Sequence, residues 1–359
     1  MKILFYISVL GGGGAERVIS VVSNGLVKRG HDVHIIISAY SEKDYSYDKK
    51  IKITCLPRPT DNDLKMNYLK DLRKLVEEIH PDVMVGVVHL DFYRLWEATK
   101  GLGIPIVASD HNNFHKNSSV KIKYVRYYLY NFADVTTVLT QNDFEYMKHK
   151  LHNMVVINNP LSFPILEEDT EKEKTILCCG RFDVWYVKGL DLMIRIWSMI
   201  AKNHPDWKLQ IAGTGKDDII DFIKHLTDLD NVSDSVEFLG YRKDIKEIMS
   251  KASIFVLSSR EEGFPCVLTE AMSQGCAPVA FDIRGNIKEI ITDGEDGYIV
   301  PDDDLEMFAK RLEELIDNEE TRKKFRENAR VSLKRFEPEK IVDQWEKILT
   351  DLVEKKKAE

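Results

Sequence analysis

The sequence predicts an α/β protein made of two Rossmann-like, doubly wound domains. Three observations carry that prediction. Short apolar runs of β type alternate with amphipathic helical stretches from end to end, which implies parallel sheet layered with helix. One densely charged segment, residues 164–174, reads Pro-Ile-Leu-Glu-Glu-Asp-Thr-Glu-Lys-Glu-Lys and separates two such series. The chain of 359 residues is long enough for two cores of ordinary size.

In the first series, strands are expected over 3–10, 33–38, 83–88, 104–109, 135–139 and 155–157, with helices over 15–29 and 68–79. Runs such as Ile35-Ile36-Ile37 suit burial on both faces of a sheet. The first run follows Lys2 but is short, and it leads into Gly11, Gly12, Gly13 and Gly14 and the charged pair Glu16 and Arg17. That is the pattern of a buried strand and a following helix, not of a secretory signal. In the second series, strands are expected over 175–179, 208–212, 236–239, 254–257, 277–280 and 298–300, and helices over 189–202, 216–228, 244–251, 265–274 and 304–317. A last helix over 338–356 places Ile341, Trp345, Ile348, Leu349 and Leu352 on one face. The domains are therefore drawn at 1–165 and 175–336, followed by the helix 338–356. Ligands in such folds bind beyond the carboxyl ends of the strands, so the two domains are expected to face each other across a cleft.

Composition narrows the class. Hydrophobic residues make up 43% and charged residues 31%, as in soluble globular proteins. A net charge of −8 argues against a general nucleic-acid binder. The five cysteines form no C-x-x-C pair, and Cys178 and Cys179 are adjacent, which reads as reduced, buried thiols in a cytosolic protein. No apolar run approaches the length of a membrane span.

The richest stretch is Ser258-Ser259-Arg260-Glu261-Glu262-Gly263-Phe264-Pro265-Cys266-Val267-Leu268-Thr269-Glu270-Ala271-Met272. Pro265 suits the first turn of a helix and Gly275 its end. The amides of Cys266, Val267 and Leu268 would then form an anion site at a helix N-terminus. Glu262 would stand on the loop side of a phosphate held there, and Glu270 about one turn into the helix. Amides for phosphate and carboxylates for hydroxyls suit a sugar nucleotide. This stretch resembles the paired-glutamate motif of the retaining nucleotide-sugar glycosyltransferases of family 4, and the resemblance runs from Met1 to about Phe336.

The resemblance implies the GT-B fold, two Rossmann-like doubly wound domains facing each other across a cleft, with the final helix crossing back to the first domain. It implies that Gly13, Glu16 and Arg17 face the donor diphosphate and the acceptor. In Ser109-Asp110-His111-Asn112 it assigns His111 to the donor sugar, with Asp110 on the acceptor side. Arg181 and Lys188 would neutralise the leaving diphosphate: Arg is a rigid fork and Lys a mobile point charge. Gly213, in Gly213-Thr214-Gly215, and Arg242, after Gly240, would lie near the nucleotide. Phe264, Pro265, Cys266, Val267, Leu268 and Glu270 complete the donor side. Glu262 would meet the donor sugar's hydroxyls and Glu270 the ribose.

Two further segments bear on partners. Asp302-Asp303-Asp304 could suggest a metal, but acids before a helix pattern are better explained by N-capping, so no required metal or other cofactor is expected. The segment 121–130 sets Lys121, Lys123 and Arg126 among tyrosines, which suits a peripheral contact with an anionic membrane face. The expected protein is thus a cytoplasmic, metal-independent, retaining hexosyltransferase at the inner membrane surface. Its donor would be a UDP-linked hexose or N-acetylhexosamine and its acceptor a saccharide or a polyprenyl-diphosphate-linked glycan, in surface polysaccharide or glycolipid assembly, with no role for nucleic acid. The alternatives are a GT-B sugar-nucleotide epimerase and a non-catalytic sugar-nucleotide-binding partner subunit. A dehydrogenase is disfavoured because the glycine run lacks the G-x-G-x-x-G spacing.

Overall fold

The computed structural model describes residues 1–11, 13–40, 45–58, 65–114, 118–168 and 170–359. The chain divides into two compact units, Met1–Ser162 with Phe336–Glu359, and Phe163–Arg335.

The first unit contains β1 (Lys2–Tyr6), β2 (Val9–Leu10), α1 (Gly14–Lys28), β3 (Asp32–Ile37), β4 (Ala39–Tyr40), β5 (Lys52–Cys55), α2 (Lys65–Ile79), β6 (Val83–Val87), α3 (His89–Thr99), β7 (Ile106–Ser109), α4 (Val120–Tyr127), β8 (Val135–Val138), α5 (Gln141–Met147) and β9 (Met154–Val156). Seven strands form a parallel sheet in the order β5-β3-β1-β6-β7-β8-β9, so the order reverses between β1 and β6. Every side chain of β1 after Lys2 and every residue of β6 is buried, as a sheet covered on both faces requires. The run 3–10, expected as one strand, breaks at Ser8 because the Asp91 carboxylate takes both its amide and its hydroxyl.

The second unit contains β10 (Glu173–Cys179), α6 (Trp185–Lys188), α7 (Leu190–Ile200), β11 (Lys208–Ala212), α8 (Asp217–Leu229), β12 (Val236–Gly240), α9 (Ile245–Lys251), β13 (Ala252–Leu257), α10 (Cys266–Ser273), β14 (Ala277–Phe281), β15 (Tyr298–Val300), α11 (Leu305–Asp317) and α12 (Glu319–Ser332). Its six parallel strands run β12-β11-β10-β13-β14-β15, and the order reverses between β10 and β13. Charge alone suggested a linker at 164–174, yet much of it is docked on this unit. The Leu166 amide donates to the Ser273 carbonyl (2.8 Å), and the Lys172 ammonium donates to the carbonyls of Ser250 and Gln274 (2.9 Å each).

The final helix, α13 (Pro338–Ala358), belongs to the first unit. Its buried side chains Ile341, Val342, Trp345, Leu349, Leu352 and Val353 join the core formed by β1, β3, β6 and α1. Each fully buried residue of this kind stabilises by about 1.5–3 kcal/mol. The helices approach closely at Gly25, where an added Cβ would lie 2.6 Å from Val342. Arg29 seals the contact with ion pairs to Glu339, Asp343 and Glu346.

Candidate active site

In the second unit the side chains converge at the strand-order reversal, where β10 and β13 end side by side. Gly180 and Arg181 follow β10, and the Arg181 side chain is exposed. Lys188 ends α6, and its ammonium donates to Glu262 Oε1 at 2.7 Å. The Ser259 hydroxyl donates to the same oxygen at 2.8 Å. Residues 74 positions apart meet because the backbones touch just behind them: a Cβ on Gly189 (φ +62°) would lie 1.8 Å from the Ser258 carbonyl oxygen. Only glycine fits there. The loop carrying Lys188 is fixed from the other side by Arg260. Its guanidinium pairs bidentately with Asp191 (2.8 and 2.7 Å), donates to the Tyr186 carbonyl (2.6 Å) and lies 4.0 Å above the Tyr186 ring. Trp185 stacks on Phe222 at 5.0 Å. Trp185 and Tyr186 thus anchor this loop.

Gly213 follows β11, and a Cβ there would lie 1.8 Å from the Gly180 carbonyl oxygen, so this turn presses against the β10 loop. Helix α10 begins at Cys266, with Pro265 as its N-cap at φ −72° and ψ 93°. That corrects the expectation that Pro265 lies inside the first turn. Leu268 is a second correction: its amide donates to the Pro265 carbonyl at 2.9 Å and its side chain is fully buried. The leading amides of the helix are therefore those of Cys266 and Val267, at a terminus where the helix itself supplies no acceptor. Phe264 and Glu270 are buried, and the Glu270 charge adjoins the Cys179 thiol. Burial first, and then neighbouring groups including Glu270, hold that thiol well above its ordinary range. The Arg242 guanidinium, at an exposed position after β12, pairs with Asp244 two residues on (2.8 and 2.5 Å).

The acidic run before α11 has structural roles. The Asp304 carboxylate caps α11 by accepting the Met307 amide at 2.9 Å. Asp302 accepts the amides of Ile283 (2.7 Å) and Arg284 (3.3 Å). In the same turn Asn286, fully buried, donates to the carbonyls of Glu262 (3.2 Å) and Gly263 (2.9 Å).

In the first unit, Gly13 is the N-cap of α1, and a Cβ there would lie 2.2 Å from the Glu16 carboxylate. The Tyr45 hydroxyl donates to the Gly13 carbonyl at 3.1 Å, and the Arg17 guanidinium lies 4.9 Å over the Tyr45 ring. Gly12 falls outside the described residues. His111 follows β7. Thr137 donates to the Ser109 hydroxyl (3.1 Å), which hydrogen-bonds His111 Nε2 at 3.0 Å, while His111 Nδ1 is buried without a hydrogen-bond partner. Burial pulls the His111 pKa down to about 4, against the weaker upward effects of Asp110 and Asn159. The ring is neutral at pH 7.

Asp110 and Arg126 are corrected together. Their side chains are 0% and 2% exposed and pair at 2.7 Å. Tyr130 also donates to the Asp110 carboxylate (3.0 Å), as does the Asn112 amide (2.9 Å). Arg126 further donates to the carbonyls of Asn112 (2.8 Å) and Asn113 (3.1 Å) and lies 3.7 Å over Phe114. Neither residue reaches an acceptor or a membrane; the pair holds the loop that carries His111. Lys121 remains exposed and Lys123 half-buried, beside the exposed Tyr124 and Tyr128. Sequence reasoning missed His89 and Asp91, which stand at the start of α3 where β6 ends. The available signal was a histidine directly after a buried strand.

Comparison with known proteins agrees with this architecture. The family profile described as glycosyl transferases group 1 matches residues 166–332, and that described as glycosyltransferase family 4 matches residues 12–162. An uncharacterized glycosyltransferase of Haemophilus influenzae is 30% identical over 97% of this chain and 99% of its own length. A Campylobacter jejuni α-1,4-N-acetyl-D-galactosaminyltransferase, named for a GalNAc-terminated undecaprenyl-diphosphate glycan, is 28% identical over 98% of this chain and 99% of its own. Among solved structures, Anabaena HepE in complex with UDP and glucose superposes with a TM-score of 0.82 at 18% identity, over 98% of this chain and 100% of that one.

Proposed function

The chain belongs to the group 1 glycosyltransferases and has their GT-B fold, and from that premise we propose that it is a retaining enzyme. It would move a hexose or N-acetylhexosamine from a UDP-linked donor to a polyprenyl-diphosphate-linked or saccharide acceptor in surface glycan assembly. The observation that carries this reading is the Lys188–Glu262 pair at the strand-order reversal of the second unit, with Arg181 on the adjoining loop. In the proposed reaction the bond from the anomeric carbon to the diphosphate oxygen breaks and its electron pair leaves with the diphosphate. The acceptor hydroxyl oxygen bonds to the same face of that carbon, and its proton passes to the leaving phosphate. Arg181, Lys188 and the leading amides of α10 neutralise the charge that develops on the diphosphate. Glu262, released from Lys188, accepts from a sugar hydroxyl. Neutral His111 faces the donor sugar as an uncharged hydrogen-bonding group. No metal is required on this reading, because two cations and the helix amides supply the counter-charge.

The relative named for an undecaprenyl-diphosphate glycan supports the lipid-linked acceptor, and the UDP-bound neighbour supports the uridine donor. We place the enzyme at the cytoplasmic membrane face, approached through Lys121, Lys123, Tyr124 and Tyr128. Among the described residues no helix is long and apolar enough to cross a membrane. The test is a panel of UDP-, GDP- and ADP-sugars scored by nucleoside-diphosphate release, with the anomeric configuration of the product read by NMR. An inverted product refutes retention. Isomerisation of the donor without acceptor identifies an epimerase, and silence with every donor favours the non-catalytic subunit.

A further inference from the structure

Val88 follows β6 at φ +66° and ψ 151°. That region belongs almost entirely to glycine, and a β-branched residue held there costs about 1–3 kcal/mol. The surroundings impose it. The Val88 amide donates to the Ser109 carbonyl (2.8 Å), and its own carbonyl accepts from the Phe92 amide (2.9 Å). Helix α3 lies so close to β6 that a Cβ on Gly86 would sit 2.4 Å from the Phe92 Cα. The strained turn delivers His89 to the carboxyl end of β6 beside β1, where the strand order of the first unit reverses and ligands of such sheets bind.

The His89 ring is poised but unused. Its Nδ1 is sealed from solvent without a hydrogen-bond partner, and Nε2 makes no hydrogen bond to any described residue. Burial lowers its pKa; Asp110 and Asp91 favour the proton, while Arg126 and Arg94 oppose it. An orphaned buried N–H is rarer than an unfilled acceptor, so the neutral ring carries its proton on Nε2. Two acids and two arginines around it leave no net charge to offer a diphosphate. A neutral donor suits an uncharged sugar oxygen. We propose that His89 donates an Nε2–H hydrogen bond to a hydroxyl or ring oxygen of the acceptor's terminal sugar and so sets acceptor affinity. This rests on the transferase reading given above.

Glutamine can place an amide N–H near the Nε2 position, whereas asparagine reaches only to Nδ1. The experiment compares His89→Gln, His89→Asn and His89→Ala with wild type. The probes are a GalNAc-terminated polyprenyl-diphosphate acceptor and UDP-N-acetylgalactosamine. The acceptor KM should rise at least tenfold in the Asn and Ala variants and stay within about threefold in Gln, with donor KM and Tm unchanged in all. Equal effects in all three variants, or a shift confined to donor KM, would overturn the proposal. Calorimetric binding of the same acceptor without donor separates it from the transferase reading. Binding lost in Asn and Ala but kept in Gln supports His89 even without turnover. Acceptor binding that is equal in all variants, or absent in wild type, overturns it.

Discussion

Replacing Arg126 distinguishes a surface cation from a buried one. As a solvated membrane contact it could be neutralised at almost no cost to stability. In the structure its side chain is 2% exposed and its guanidinium serves Asp110, Asn112 and Asn113. Arg126→Met strands the Asp110 carboxylate, itself fully buried, with only Tyr130 and the Asn112 amide as partners. Breaking a buried pair from one side costs about 3–5 kcal/mol. For a unit of this size each kcal/mol moves Tm by roughly 2–4 °C, so calorimetry should show a fall of about 6–20 °C. The double variant Arg126→Met with Asp110→Leu removes the stranded charge and should recover most of that loss, since apolar replacement of a buried pair is often near neutral. The reasoning fails if Arg126→Met keeps Tm within about 2 °C of wild type, or if the double variant is less stable than the single one.

Three further outcomes follow from the geometry. Lys188→Met should lower nucleoside-diphosphate release by about 10²–10³-fold, the usual cost of deleting one group that stabilises developing negative charge; a coupled release assay reads it. Gly189→Ala forces a Cβ to within 1.8 Å of the Ser258 carbonyl oxygen at φ +62°, and should cost more than about 1 kcal/mol in urea unfolding while disrupting nucleotide binding through the adjacent Lys188. His111 binds its proton more weakly folded (about 4) than unfolded (6.5), so the unfolded chain holds the extra proton between those values and stability rises with pH across that window. The stability of wild type relative to His111→Gln should therefore grow from pH 4 to 6.5, by at most ~3 kcal/mol, and stay level above.

Alternation of apolar runs with amphipathic helices made both sheets legible, because strands buried on two faces read as continuous Val, Ile and Leu. Helix α3 was not legible. Leu90, Phe92, Tyr93, Leu95 and Trp96 form no clean stripe, and its N-cap is a strained valine with no side-chain acceptor. Helix α12 carries the Asn318 cap signal, but few of its residues are buried, so the apolar period is faint. Within the cation-rich segment 121–130 Arg126 was misplaced, because spacing does not say which helical face turns inward. Asp110, sixteen positions earlier, decides it by needing a buried counter-ion. Motifs nominated the candidate site residues one by one, but not the Lys188–Glu262 contact. It depends on two backbones meeting at Gly189 and Ser258, a distance in space that no local pattern encodes.

The strained backbone gives an independent pointer to the same places. Among the described residues other than glycine, positive φ occurs at His80, Val88, Asn231, Ile283, Arg284 and Asp303. His, Asn and Asp tolerate that region comparatively well, so three of these six are unremarkable turns. Val88, Ile283 and Arg284 are not of that kind, and all three lie just beyond the carboxyl ends of strands, β6 and β14. At Ile283 and Arg284 the strain is held by the Asp302 carboxylate, and the same turn supplies Asn286 to the carbonyls of Glu262 and Gly263. At Val88 it is held by β7 and α3, and it presents His89. Glycine at any of these positions would relieve the strain, so their side chains run against local preference. Such violations concentrate where a site must be positioned. In each unit the violation orients the backbone beside a side chain that the site chemistry singles out on separate grounds.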